Sequence, residues 1–303
     1  MSKASNRQRL LLVATALAAG LPAPAALATS DAHAGLPETM TLTGVVRDFK
    51  ARDEGGHADF QRRPDAGFGH YVYMVADELD DDGKPAFNST GYKLFSNWTD
   101  ANGNPISPPR DHIAQRQGDS SGSIADSTGG ALTTPANFAQ WFRDVPGVNV
   151  SRPLSITLRR EAGSNVYVFD DKTDAKYKEL GGFFPINDEL FGNYGSTGKN
   201  YHFTFELETE FIYREGAGQV FTFIGDDDVW VFIDGKCVID IGGVHSAIAQ
   251  TIDLDRLEWL EDGQKYDLKF FFAERHTTQA NFRIETSLNL RSINLPATAA
   301  LFD

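Results

Sequence analysis

Apolar and polar residues alternate in short segments along most of the chain, with the period of two that is typical of a strand with one buried face. Polar stretches rich in Gly, Asn and Asp separate these segments. The predicted strands span residues 40–49, 154–158, 165–169, 201–210, 220–224, 229–233, 237–241, 250–254, 266–273 and 281–290. Many short strands with polar turns predict an all-β fold, an antiparallel β-sandwich with long loops and one or two short helices.

The clearest local signal is a hairpin between residues 229 and 241. Its first strand, 229–233, alternates β-branched and aromatic residues, and 237–241 returns as the second strand. Between them, Asp234 and Gly235 form the pair that favours a type I′ turn. Because both faces of the first strand are apolar, we expect it inside a two-layer packing rather than at an edge.

One helix is predicted at 134–143, where Phe138, Trp141 and Phe142 share a side and are expected to pack in a core. Just before it, residues 105–135 are rich in Pro, Gly, Ser and Asp and predict an inserted surface loop. No internal repeat or shift in composition marks a second domain. The sequence therefore predicts one domain over 35–290 and a C-terminal tail over 291–303.

The N-terminal residues favour an exported protein. Basic residues precede the apolar run 10–21, and small-residue cleavage patterns end at Ala28 and Ala34. Residues 1–34 are therefore interpreted as a signal peptide, and the apolar run is too short to span a membrane comfortably. We expect a secreted or cell-surface protein without a membrane span once this peptide is removed.

The net charge of the chain limits the classes of partner that it can bind. There are 28 basic and 42 acidic residues, and removal of the three basic residues before Ala28 leaves 25 against 42, a net charge of −17. Such a surface repels nucleic acid and anionic membranes and suits cations, neutral sugars or a matrix. The single cysteine, Cys237, permits no internal disulfide and is expected to pack as a small apolar group.

The candidate chemistry lies in the consecutive acids Asp226, Asp227 and Asp228. In an extended segment Asp226 and Asp228 would point to one side, roughly 6 to 7 Å apart. Two unit charges at that distance repel by about 2 to 3 kcal/mol at an effective dielectric of 20. Either the loop is fully solvated, or the acids bind a hard cation through oxygen ligands, with Ca²⁺ as the first candidate.

The motif GDDDVWVFIDGK at 225–236 resembles the fibro-slime domain family, which is similar to a branch of the PA14 β-sandwich superfamily. Further motifs that carry the resemblance lie at 44–50, 57–60, 141–149, 182–185, 242–245, 271–278 and 281–286. The resemblance implies that Asp226 and Asp227 bind calcium across a cis peptide, with sugar hydroxyls completing the coordination. Asp228 stands where the common pattern has glycine, so Asp227 with Asp228 is the second choice.

Five further residues are candidates for the rim of a ligand site. His245 follows two glycines in the loop that leaves the hairpin, and Glu274, Arg275 and His276 end the strongest apolar strand. Loop bracing is the alternative for both histidines, and a structural ion pair is the alternative for Glu274 with Arg275. Trp230 would stack on a sugar if it were exposed, with core packing as its alternative.

Three functions follow from these features. The first is a secreted, calcium-dependent module for carbohydrate binding or adhesion, with extracellular glycans or matrix polysaccharide as partners. The second is a structural matrix protein in which calcium holds loops together and no sugar binds. The third is a glycoside hydrolase that uses Asp226, Asp228 or Glu274, which would need two carboxyl groups about 5 to 5.5 Å apart for retaining chemistry. The sequence favours a protein that is not an enzyme.

Overall fold

The computed structural model describes residue 33 and residues 35–293. The first strands in chain order are β1 (Thr39–Phe49), β2 (Tyr71–Val72), β3 (Val75–Leu79), β4 (Pro85–Phe87), β5 (Tyr92–Ser96), β6 (Trp98–Thr99), β7 (Pro105–Ile106), β8 (Ser123–Thr128) and β9 (Asn149–Arg160). They are followed by β10 (Tyr167–Asp170), β11 (Phe203–Ile212), β12 (Val220–Gly225), β13 (Asp228–Ile233), β14 (Lys236–Ile241), β15 (Ile248–Asp253), β16 (Lys265–Glu274), β17 (Phe282–Thr286) and β18 (Arg291–Ser292). The helices are α1 (Pro135–Phe138) and α2 (Ala175–Leu180), with 3-10 turns at Arg52–Glu54 and Leu254–Arg256.

Thirteen of these strands form one antiparallel sheet. Its order is β15-β12-β17-β10-β9-β1-β11-β16-β13-β14-β3-β4, with β18 paired to β11. Two small sheets, β2-β5-β8 and β6-β7, lie beside it. The predicted all-β antiparallel fold with two short helices is confirmed.

The large sheet curls until its two ends face each other, which makes a sandwich. We call β15, β12 and β17 the first layer and β16, β13 and β14 the second layer. Aromatic rings join them: Phe223 of β12 lies 5.6 Å from Phe270 of β16, and Phe282 of β17 lies 5.1 Å from Phe272 of β16. This interlayer core is rich in Phe, Ile, Leu and Val, and its burial is the main apolar contribution to stability.

A second core covers the outer face of the second layer. Phe138, Trp141 and Phe142 are buried there with Trp230, so the predicted aromatic stripe packs in a core. Helix α1 is shorter than predicted, and the side chain of Thr134 caps it by accepting from the backbone N–H of Asn137. This second core fixes the segment around Trp141 against the hairpin of β13 and β14.

The hairpin matches its prediction. Asp234 and Gly235 have φ values of 51° and 75°, as a type I′ turn requires. All six residues of β13 are buried, and β13 pairs with β14 on one side and β16 on the other. Cys237 is a free, buried thiol, in agreement with its predicted apolar packing.

Other regions differ from the sequence prediction. The supposed loop insertion 105–135 contains β7 and β8, and β8 pairs with β5. Helix α2 was not predicted, although Asp174 caps its start and Gly181 its end. Residues 291 and 292, assigned to the tail, form β18. The predicted signal peptide, apart from His33, and the tail beyond residue 293 lie outside the described residues.

Connections between the two layers gather at the ends of the sandwich. The β12–β13, β14–β15 and β16–β17 loops each pass from one layer to the other, and antiparallel pairing places all three at the same end. We call this end the acidic pole, formed by residues 226–228, 242–247 and 274–281. At the opposite end His33, Leu36 and Arg291, from the two extremes of the described chain, line a common cavity.

Candidate functional site

The acids at 226 and 227 lie in a crossover and not in a strand. Strand β12 ends at Gly225 in the first layer, and β13 begins at Asp228 in the second layer. The prediction that Asp226 and Asp228 share one face of an extended segment is therefore wrong, because the chain bends between them. Instead Asp226 and Asp227 face one opening, and Asp228 points into the protein.

Asp226 is held by the loop before β17. Its carboxylate accepts from the backbone N–H of Asn281 and from Nδ2 of the same residue at 2.9 Å. Burial raises the pKa of Asp226, and the two bonds from Asn281 oppose that rise. Asn281 was not a predicted site residue, although it opens the 281–286 motif that carries the family resemblance.

Asp227 connects the other two crossover loops. Its Oδ1 accepts from the backbone N–H of His245, and its Oδ2 accepts from the backbone N–H of Arg275, both at 3.2 Å. Burial raises the pKa of Asp227 well above its ordinary value, and the charge of Asp228 adds to that rise. Asp227 is thus the point at which all three loops of the acidic pole meet.

Glu274 lies against Asp227 with no countercharge of its own. Its side chain is fully buried at the end of β16 and within hydrogen-bond contact of the Asp227 carboxyl group. Among the described residues no donor reaches its Oε2. Burial raises the pKa of Glu274 well above its ordinary value, with the charges of Asp227 and Asp226 as further causes. The pair can be balanced only by a proton or a cation.

Asp228 and Arg275 form a fully buried ion pair. Oδ1 of Asp228 also accepts from the backbone N–H of Gly243 at 2.6 Å, and the guanidinium donates to the carbonyl of Ala131 at 3.0 Å and lies 5.3 Å from the Trp141 ring. Because both groups are saturated by these partners, Asp228 is not placed to bind a metal and Arg275 is not placed at a ligand rim. They join the acidic pole to the second core.

Trp230 does not lie at the rim of the opening either. Its side chain is fully buried in the second core, and its Nε1–H donates to Oδ1 of Asp240 at 3.1 Å. The alternation along β13 explains this position, since Trp230 faces away from the interlayer core and is covered by Phe138 at 5.5 Å. A stacking role for this indole is excluded by its burial.

The opening at the acidic pole has a volume of about 270 Å³. It is lined by Phe68, Asp226, Asp227, Val244, His245, Ser246, His276, Thr277, Thr278 and Gln279. The structure therefore brings the two predicted histidines beside the first two acids. Phe68 was not predicted, because it comes from a loop distant in sequence.

The histidines brace the loops that carry them. Nδ1 of His245 lies 3.0 Å from the carbonyl of Ser246, and burial, with His70 nearby, lowers the pKa of His245 to about 3. Nδ1 of His276 lies 2.6 Å from the carbonyl of Thr277. The His245 ring is therefore neutral, and both rings lie at the wall of the opening.

The backbone differs from the geometry that the resemblance implies. Within residues 35–293 the cis peptide bond is Thr277–Thr278, and the bond between Asp226 and Asp227 is trans. In the same part of the chain no group of three or more His, Cys, Asp or Glu side chains is arranged so that it could hold a metal ion. An ion at this opening would thus rely on two aspartates together with neutral oxygen ligands.

The geometry does not favour the glycosidase alternative. Asp228 is saturated by Arg275, and Asp227 and Glu274 are in hydrogen-bond contact. Retaining glycosidases need about 5 to 5.5 Å between their carboxyl groups, and inverting enzymes need more. Asp227 and Glu274 are closer than either arrangement requires, so these two residues do not form such a pair.

Part of the chain is similar to a known domain family. Residues 185–296 match the family model of the PA14 domain. That range covers β11 to β18 and includes all four carboxylates of the acidic pole. The described chain has the antiparallel β-sandwich that this class predicts.

Two proteins of one organism are similar in sequence to about half of this chain. Protein psiD of Dictyostelium discoideum is 41% identical over 163 residues, which are 51% of this chain and 29% of psiD. Protein psiQ of the same organism is 38% identical over 172 residues, which are 52% of this chain and 16% of psiQ. The chain therefore spans less than a third of the length of these two relatives.

Solved structures are only distantly similar. The GH31 α-xylosidase from Xanthomonas citri has 16% identity and a TM-score of 0.25, with 76% of this chain and 22% of that chain covered. The β-glucosidase from Kluyveromyces marxianus in complex with glucose has 12% identity and a TM-score of 0.22, with 31% and 11% covered. Scores this low support no conclusion about function. Separately, none of the helices in the described chain has the length and apolarity to cross a membrane.

Proposed function

We propose that this chain is an extracellular carbohydrate-binding or adhesive module of the fibro-slime type, in which calcium at Asp226 and Asp227 takes part in glycan recognition. The observation that supports it most is the charge at the acidic pole. Four buried carboxyl groups surround one buried guanidinium, that of Arg275; they belong to Asp226, Asp227, Asp228 and Glu274. The guanidinium pairs with Asp228, so the other three carboxyl groups are in surplus.

The chemistry of the surplus groups fits a hard cation. All are oxygen ligands, and Ca²⁺ accepts six to eight oxygens from carboxylates, carbonyls and water. Asp226 and Asp227 line the opening and would hold the ion, while Glu274 behind Asp227 would add negative charge without reaching the solvent. A bound Ca²⁺ would supply coordination positions for sugar hydroxyls. The chain itself fixes both aspartates through backbone N–H groups, so little ordering remains to be done on binding.

The experiment is a paired measurement of calcium and glycan binding on the full chain. We expect calorimetric Ca²⁺ binding and glycan-array retention that a chelator abolishes. Asp226→Asn with Asp227→Asn should remove both, because amides keep the shape and lose the charge. Asp126→Asn on the exposed surface of β8 is the matched control and should change neither. Glycan retention that survives both the chelator and the double substitution contradicts the proposal.

Calcium could also act without a sugar. The three crossover loops meet at Asp227, so an ion there would hold them together, which is the structural matrix alternative. Its result in the same experiment is a large rise in melting temperature with Ca²⁺ and no glycan retention. Turnover of a chromogenic glycoside panel would instead point to the enzyme.

The extracellular location rests on the predicted signal peptide. Residues 1–34 carry the basic start, apolar run and small-residue sites of an export signal. We expect the protein in the culture medium of an expressing cell, with an N-terminus after Ala28 or Ala34 by mass spectrometry. An intact N-terminus in the cell interior contradicts this location.

A further inference from the structure

Phe68 is an exposed aromatic side chain at the opening of the acidic pole. It is 46% exposed and lies in the segment before β2, and it lines the opening together with Asp226 and Asp227. Phe95 on β5 is more exposed still, at 70%, but does not line this opening. Burying an exposed phenylalanine is favourable, so its position beside the carboxylates of Asp226 and Asp227 indicates a ligand that has both polar groups and an apolar face.

Two neighbouring side chains hold the ring of Phe68 in place. The His276 ring meets it edge to face with centroids 4.9 Å apart, and the Arg63 guanidinium lies 5.6 Å from its centroid. His276 is in turn fixed by Thr277. A ring that is already positioned loses little conformational freedom when a ligand packs on it.

We infer that Phe68 is a stacking residue that selects cyclic sugars, and this inference rests on the proposed function. A pyranose has hydroxyl groups on its edge and C–H groups on its face. Hydroxyls directed to Asp226 and Asp227 through a cation leave the C–H face for the Phe68 ring, and Ser246 and Gln279 offer polar groups to the remaining hydroxyls. An acyclic polyol offers the same hydroxyls without a flat apolar face.

Phe68 and the carboxylates lie in different parts of the chain. The PA14 match covers residues 185–296, so the carboxylates belong to the matched part and Phe68 does not. Cation binding and sugar selectivity are thus assigned to separate segments. Substitution of Phe68 should change which ligand binds without changing whether a cation binds.

The test compares ring and open-chain ligands on the full chain. The probes are the methyl pyranosides of glucose, galactose and mannose against mannitol and galactitol, with binding in Ca²⁺ followed by NMR titration. Phe68→Ala should weaken binding of the preferred pyranoside about five- to tenfold and leave polyol binding unchanged. Saturation transfer from aromatic protons to sugar C–H protons should be seen in the natural protein and lost in this variant.

Two further variants keep the test decisive. Phe68→Trp should keep or strengthen pyranoside binding, since a larger ring retains the stacking surface, and Phe95→Ala should behave as the natural protein. Ca²⁺ affinity should stay within about twofold in all three, because Phe68 contributes no oxygen ligand. Pyranoside binding that is unchanged in Phe68→Ala overturns this inference alone. A natural protein that binds neither class of ligand in Ca²⁺ overturns the proposed function instead.

Discussion

Replacement of Glu274 by Gln tests the charge surplus at the acidic pole directly. Glu274 is buried against Asp227, and no donor among the described residues reaches its Oε2. Two like charges 4 Å apart repel by about 4 kcal/mol at an effective dielectric of 20. The raised pKa values of the pair mean that proton uptake relieves part of this repulsion. We therefore expect Glu274→Gln to raise the free energy of unfolding in chelator by about 1 to 2 kcal/mol.

The pH dependence of the folding stability tests the repulsion between Glu274 and Asp227 independently. Because burial raises the pKa of Glu274 and of Asp227, the folded protein holds protons that the unfolded chain releases. The stability contributed by these groups is present in acid and is lost as the pH rises through the raised pKa values. The natural protein in chelator should lose stability above about pH 5 more steeply than Glu274→Gln, and the two should converge in acid.

The assay is thermal unfolding of the full chain in chelator and in Ca²⁺. A change of 1 kcal/mol moves the melting temperature of a domain of this size by roughly 2 to 4 °C. Ca²⁺ should stabilise the natural protein more than Glu274→Gln, whose Ca²⁺ affinity should fall about tenfold. Glu179→Gln, the same change at an exposed position of α2, should stay within about 0.5 kcal/mol of the natural protein. A lower melting temperature for Glu274→Gln in chelator would refute the reasoning.

Three other predictions follow from groups elsewhere in the fold. Burial raises the pKa of Asp48 to about 7. Its contribution to stability should therefore fall as the pH rises from about 4 to 7, by about 1.4 kcal/mol per pH unit at most. Denaturant titrations of Asp48→Asn should show a free energy of unfolding that depends less on pH. Arg275→Met leaves Asp228 buried without a countercharge and should cost about 3 to 5 kcal/mol, with part of the loss recovered when Asp228→Asn is added. Gly44→Ala places a Cβ 1.9 Å from a backbone oxygen of β11 and should lower the free energy of unfolding by about 1 to 3 kcal/mol, measured by calorimetry. Gly35→Ala, with nothing within 4 Å of the added Cβ, is its control and should leave the stability unchanged.

The sequence predicts the parts of this fold in which the local pattern and the tertiary environment agree. The turn at Asp234 and Gly235 needs two left-handed residues, and the structure has them. The apolar character of both faces of β13 predicts its central position, because each face meets a different core. Most of the short strands between β1 and β9 were missed because segments of two to six residues are too short for an alternation to appear.

The candidate site was predictable in its composition and not in its geometry. The three consecutive acids indicate charge chemistry, but only the crossover between layers turns Asp227 toward Glu274 and sends Asp228 to Arg275. No local pattern marks Phe68, because its neighbour at the opening, His276, lies more than two hundred residues away in the chain. Contacts of that kind depend on topology, which single-sequence periodicity does not contain.

The two ends of the described part of the chain lie close together, which has a consequence for how the protein would be presented. His33, Leu36 and Arg291 lie together at the end of the sandwich opposite the acidic pole. Any polymer or neighbouring module attached through either end would therefore hold the domain by its base. Such a tether leaves the opening pointing outward, and several copies joined in series would display their openings without steric interference from the joints.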